Sequence, residues 1–182
     1  LSKRFAASEW VTLSAEKGTI PASGMVTIQG SVKVPSDANP GGKYFAVFFE
    51  PVANIPSPSG ARQEESSGVS VRIAGLVYLR VSGPITEGAT VTKFMAPGFL
   101  EYGPVDITTE IKNYGDYHIT PKGDVTIKDM FGHVVAKETL KEVNIFPDAS
   151  RQIVTKMGTK WMLGRFTANL NAVYGESGNT LS

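Results

Sequence analysis

The chain has no cysteine. A disulfide framework, a thiolate metal site and a cysteine nucleophile are therefore excluded. A cysteine-free β-rich chain fits a cytosol or a bacterial exterior, where large apolar cores replace disulfides. Charge is also sparse, at 19% of residues against roughly 25% for an average soluble domain. Its two signs nearly cancel, leaving a formal net charge of +1. With no basic stripe either, the attraction to phosphate that nucleic-acid binding needs is missing. No apolar run approaches the roughly 20 residues of a membrane span. No stripe of ten or more residues carries a convincing helical period, and Lys137 to Val143 is the only weak candidate.

What is present is apolar content, turn residues and alternation. Hydrophobic residues make up 41% of the 182, ample for a core, and Gly (19) and Pro (11) are plentiful. That points to many turns and short strands. Val26, Ile28, Val32 and Val34 alternate with Thr27, Gln29, Ser31 and Lys33, and Pro35 ends that strand. The run from Tyr44 to Phe49 is almost continuously apolar, as for a strand buried on both faces, which makes Tyr44, Phe45, Phe48 and Phe49 expected core. Residues 54–68 are rich in Pro, Ser, Gly and Glu and read as an exposed loop. Val69, Val71 and Ile73 resume the alternation. Gly75 is expected at a bulge or a close packing, and Leu76 to Val81 completes a long strand.

The same period of two returns at Val105, Ile107, Thr109 and Ile111, with Asp106, Thr108, Glu110 and Lys112 between them. Asn113 to Asp116 is a turn. Strands follow at Val125 and Ile127, at Val134 and Val135 after the Asp129–Gly132 hairpin, at 143–146, and from Arg165 to Tyr174. In the last, Phe166, Ala168, Leu170, Ala172 and Tyr174 share a face. Short strands with turn signals at these intervals predict an all-β chain of two tandem immunoglobulin-like antiparallel β-sandwiches. We place the modules at 1–85 and 86–182, with the junction between Gly83 and Thr90. The second offers about seven strands. The first offers four or five, around 10–13, 25–34, 43–50 and 69–81. Either residues before Leu1 complete it, or another chain does. Leu1 in place of Met is read as a processed chain or a piece of a longer one, with a signal or anchor expected outside it.

The stretch Val34-Pro35-Ser36-Asp37-Ala38-Asn39-Pro40-Gly41-Gly42-Lys43-Tyr44-Phe45-Ala46-Val47-Phe48-Phe49 resembles a "VP-x-DA-x-PGG" signature. It occurs in surface sandwich domains of bacteria similar to the peptidoglycan-binding-type module of WxL-interacting proteins and related membrane-anchored proteins. The strand Ile73 to Val81, the turn Asn113-Tyr114-Gly115-Asp116 with Pro121 and Gly123 after it, and the hairpin Asp129-Met130-Phe131-Gly132 resemble the same family. These motifs encode turns. The resemblance implies a bacterial cell-surface location and an anchor beyond this chain, and it names no ligand.

Candidate chemistry is thin. His118 and His133 lack a second histidine at ligand spacing, and structural or solvent roles are expected for both. No G-x-S-x-G elbow is present. Asp106 and Glu110 lie on an outward face and Glu64-Glu65 in the polar loop, so no opposed carboxylate pair is evident. Gly41-Gly42 is not followed by a G-K-(S/T) phosphate loop. A Lys–Asn amide staple would need a buried pair from Lys33, Lys112, Asn113, Asn169 and Asn171, of which only Asn113 has inward parity. No catalytic, metal or cofactor residue is therefore expected, and no cofactor. The residues singled out are Phe94, Phe99, Tyr102 and Trp161. Exposed, they suit a carbohydrate or protein contact; buried, they would join the two modules, the reading preferred at this point.

Three functions compete. The first is a non-catalytic structural or adhesive surface module binding protein or cell-wall glycan. The second is an assembly subunit or chaperone-like protein that exchanges strands with a partner or with another copy of itself. The third is an accessory module of a larger cell-wall enzyme. No nucleic acid is expected as partner, and a membrane only through an anchor elsewhere.

Overall fold

A computed structural model of the chain describes residues 3–51 and 72–181. The expected loop at 54–68 and the strand start at Val69 and Val71 lie outside the described residues. Among those described, the chain is all-β, with eleven strands in four sheets and two short 3-10 turns at Lys3–Phe5 and Ser8–Trp10. Among them, no helix is long and apolar enough to cross a membrane. The chain forms two compact units. The larger holds 1–5, 37–42 and 80–182, and the smaller holds 6–36 and 43–79.

In the smaller unit, β1 (Val11–Leu13) pairs antiparallel with β2 (Gly30–Val32), Val11 opposite Val32. β3 (Gly41–Phe49) and β4 (Ile73–Val81) form a second two-stranded sheet, each strand crossing from one unit into the other. Tyr44 is buried and meets the Tyr78 ring edge-on at 5.6 Å. The long strand expected from Met25 to Val34 shrinks to Gly30–Val32, and Val26, Val32 and Val34 are exposed. The expected burial of β3 on both faces also fails at its far end. Phe48 is 63% and Phe49 50% exposed. The reason is that a two-stranded sheet covers little of its own apolar surface. Among the described residues, a Cβ on Gly75 would meet no atom within 4 Å, so close packing does not demand glycine there.

The larger unit holds seven strands in two layers. β5 (Ala89–Met95), β6 (Val105–Asn113) and β9 (Ser150–Met157) form one sheet in the order β5-β6-β9. β7 (Lys122–Lys128), β8 (Val134–Thr139), β10 (Thr167–Tyr174) and β11 (Asn179–Thr180) form the other, in the order β11-β10-β7-β8. All their pairings are antiparallel. Ile107, Ile111 and Ile153 from one sheet and Val125, Ile127, Ala172 and Tyr174 from the other belong to a single core cluster. That is the packing of a sandwich-like fold. The alternation read along β6 and β10 holds residue by residue. Lys137 to Thr139 is strand, so the weak helix candidate is overturned. The strand expected at 143–146 reduces to an isolated bridge between Ile119 and Ile145.

Two of the turns that carry the resemblance, at Gly41-Gly42 and Asn113–Asp116, meet in this unit. The Gly42 N–H donates to the Asp116 carbonyl at 2.8 Å. Gly41 has φ +115, and a Cβ there would lie 2.5 Å from that same oxygen, so only glycine fits. The Asp116 carboxylate in turn accepts from Arg4 at 2.7 Å and from the Thr86 N–H at 3.1 Å.

Candidate functional site

Two depressions, one in each unit, gather the side chains with binding potential. The smaller unit has a groove of about 360 Å³. Val11, Leu13, Ile28 and Val32 line one side, and Phe45, Val47, Phe48, Phe49 and Val77 the other. Among the described residues, Glu16 is its one charged lining residue. Alternation puts Val11 and Leu13 on one face of β1, and Phe45, Val47 and Phe49 on one face of β3. The groove exists because two two-stranded sheets cannot close over the apolar residues they carry. Among the described residues, each of the four strands has a single sheet neighbour, so each sheet keeps open edges. The sequence reading missed this groove by assigning its lining to a closed interior.

The larger unit has a depression of about 570 Å³ at the end where β5 leads into β6 and β9 into β10. Phe99, Leu100, Tyr102, Met162, Leu163 and Arg165 lie around it, with Ile107 and Ile127 at its floor. Of the four aromatics singled out, Phe99 and Tyr102 line this depression and Trp161 adjoins it in sequence. They are 86%, 58% and 79% exposed respectively. Phe94 stands apart: it is half-buried and packs against the core cluster. Leu163 (85% exposed) and Phe131 (78%) accompany the other three and were not singled out. The signal was available for Phe131, since an aromatic at the tip of a tight hairpin has no sheet to bury it.

Among the described residues, no three of His, Asp and Glu gather at metal-ligand range. His118 sits beside Tyr117 (4.2 Å between ring centres), and burial lowers its pKa from the ordinary 6.5. His133 Nδ1 lies 3.2 Å from Asp129. Partial desolvation of the Asp129 carboxylate pushes its pKa up. Hydrogen bonds from the His133 and Phe131 N–H groups and contact with the His133 ring outweigh this and hold it below the usual value. Arg80 grips Glu176 at 2.6 Å, and this hydrogen bond raises the guanidinium pKa further.

No family model, curated protein or solved structure matches this chain. The site must therefore be read from its own geometry.

Asn113 shows how the candidate covalent staple fares. Its side chain is fully buried. Nδ2 donates to the Tyr117 carbonyl at 2.8 Å and the Ile145 carbonyl at 2.9 Å, and Oδ1 accepts from the Gly115 N–H at 2.8 Å. Those bonds occupy the amide in turn-holding, while Lys33, Lys112, Asn169 and Asn171 face solvent.

Proposed function

We propose that this chain is a non-catalytic binding module of a bacterial cell surface, built of two immunoglobulin-like sandwiches, whose smaller unit takes an extended segment of a protein partner in its apolar groove. The observation that carries the reading is the groove itself. Among the described residues, its walls are β-strands with open edges and its lining is apolar but for Glu16, and its volume is about 360 Å³. A strand entering such a groove pairs its backbone with an open edge and fills the space with alternate side chains. A saccharide is a poorer fit, since its hydroxyls would find few hydrogen-bonding partners there.

The immunoglobulin-like reading draws support from the larger unit. Seven strands in layers of three and four suit that fold. Strand β8 joins the sheet of β7 and β10 and not the sheet of β5, β6 and β9, which departs from the constant-type arrangement. The turn motifs that resemble those of WxL-interacting proteins support the surface location and an anchor elsewhere.

The test uses a labelled peptide of about ten residues alternating Val and Thr, the length of one strand crossing a small sheet. Fluorescence anisotropy should show saturable binding. A Thr-only peptide should not bind, and Val47→Asp, which sets a charge in the groove, should abolish binding. Absence of peptide binding, together with sedimentation on isolated peptidoglycan that Val47→Asp leaves untouched, would overturn this reading in favour of a glycan ligand.

A further inference from the structure

Among the described residues, five large apolar side chains are more than three-quarters exposed: Met25, Phe99, Phe131, Trp161 and Leu163. Four of them sit in three connections of the larger unit, at 96–104, 129–133 and 158–166. The register brings these connections to one end of the unit. Val105 lies opposite Met157 in one sheet, and Lys128 lies opposite both Thr167 and Val134 in the other. Contacts tie them together. The Gly103 N–H donates to the Lys160 carbonyl at 3.1 Å, and a Cβ on Gly164 would stand 3.5 Å from Met130 Cε. So much exposure means that each side chain is barely touched by its own molecule. Together they project from separate tips around the depression that Phe99, Tyr102 and Leu163 line. An exposed apolar cluster of this size marks an interaction surface.

Exposed cations flank the same tips. The apolar end carries the exposed cations Lys128, Lys156, Lys160 and Arg165 against exposed Glu101 and Asp106. Its remaining carboxylate, Asp129, is turned inward on the N–H groups of its own hairpin at 2.9 Å. Lys160 Nζ stands 5.7 Å from the Trp161 ring, next to the tip. The connections at the opposite end carry Glu87, Asp116, Glu142, Asp148 and Glu176 with Lys141, and the strand ends there add exposed Lys112, Lys122, Arg151 and Glu138. Of these acids, Asp116, Glu142 and Glu176 lie against Arg4, Lys122 and Arg80.

We propose that this end of the larger unit docks directly on an anionic lipid bilayer, with Phe99, Phe131, Trp161 and Leu163 entering the interface and the flanking lysines and arginine meeting the headgroup phosphates. A bilayer accepts projecting tips from separate loops with no complementary surface. Aromatic side chains with cations behind them match its interfacial layer. Lys128, Lys156, Lys160 and Arg165 beside the tips supply the attraction to an anionic surface that turns this end toward it. This contact is separate from the groove of the smaller unit and stands or falls without it.

The experiment uses the full chain carrying Trp10→Phe, so that Trp161 is the one remaining tryptophan. Vesicles of phosphatidylglycerol and phosphatidylcholine are compared with vesicles of phosphatidylcholine alone. Expected are sedimentation with the anionic vesicles, weakened by added salt, a blue shift of Trp161 emission, and its quenching by lipids brominated on the acyl chain. Phe99→Ser with Leu163→Ser should lower the vesicle partition coefficient by at least about tenfold, because both remove apolar area from the interface, with the circular dichroism spectrum unchanged. If that variant misfolds, the bromolipid quenching of the parent chain decides. Any of three results would overturn the proposal. One is no association with either vesicle. Another is association that survives the double substitution in a folded protein. The third is self-association abolished by the same substitutions without vesicle binding, which would make this end a protein interface.

Discussion

Asn113 occupies the inward parity of β6, where the alternation Ile107, Thr109, Ile111 calls for another core residue. An amide is tolerated there because each of its polar atoms finds a backbone partner. One turn and two connections hang on it, through Gly115, Tyr117 and Ile145. Asn113→Ala should therefore cost about 2–4 kcal/mol in urea denaturation, since it strands buried backbone groups and leaves a void. A loss below about 0.5 kcal/mol would show that water or a small shift replaces the amide. His118 offers a pH-dependent counterpart. Its pKa is lowered in the fold, so on acidification the unfolded chain takes up the proton first. Its contribution is flat above the ordinary pKa of about 6.5 and turns destabilising as pH falls below it. The thermal midpoint should drop between pH 7 and pH 5, and His118→Phe should flatten that interval. A slope unchanged by the substitution would place the proton uptake elsewhere.

At the scale of elements, the sequence was legible where one face of a strand is buried and the other wet. β6 and β10 meet that condition along their whole length, and their alternation shows it. β5 does not. A register shift between Val91 and Lys93 breaks the period, so that Ala89 and Val91 face the core and then Phe94 does. No simple alternation marks such a strand. β9 hides for another reason: it opens on Ser150-Arg151-Gln152, and its buried set of Ile153, Thr155 and Met157 includes a threonine. In β3 the apolar run predicts burial, yet burial depends on how many strands stand beside it. That is a tertiary fact, with no trace in residues 41–49. The candidate sites follow the same logic. Phe99, Tyr102 and Trp161 could be found as aromatics among turn residues, but Leu163 has no pattern to mark it. The groove depends on sheets stopping at two strands, which no local pattern encodes.

At the scale of the molecule, the two units bury very different amounts of apolar surface. Thirteen residues of the larger unit form one buried cluster fed by both of its sheets. Among the described residues of the smaller unit, the buried hydrophobics are Ala7 and Tyr44. Burial of apolar area is the main favourable term in folding, and local opening follows where it is thin. The amides of β6, β7, β9 and β10 should then exchange with deuterium at least about 100-fold more slowly than those of β1, β2 and the smaller unit's share of β3 and β4. A strand seated in the groove supplies the missing cover. The alternating Val–Thr peptide should slow exchange in β1–β4 while leaving the strands of the larger unit as they were, because a ligand stabilises only the state that binds it. Equal protection of both units without peptide would mean that the smaller unit is already closed. The groove would then have no vacancy for a partner to fill.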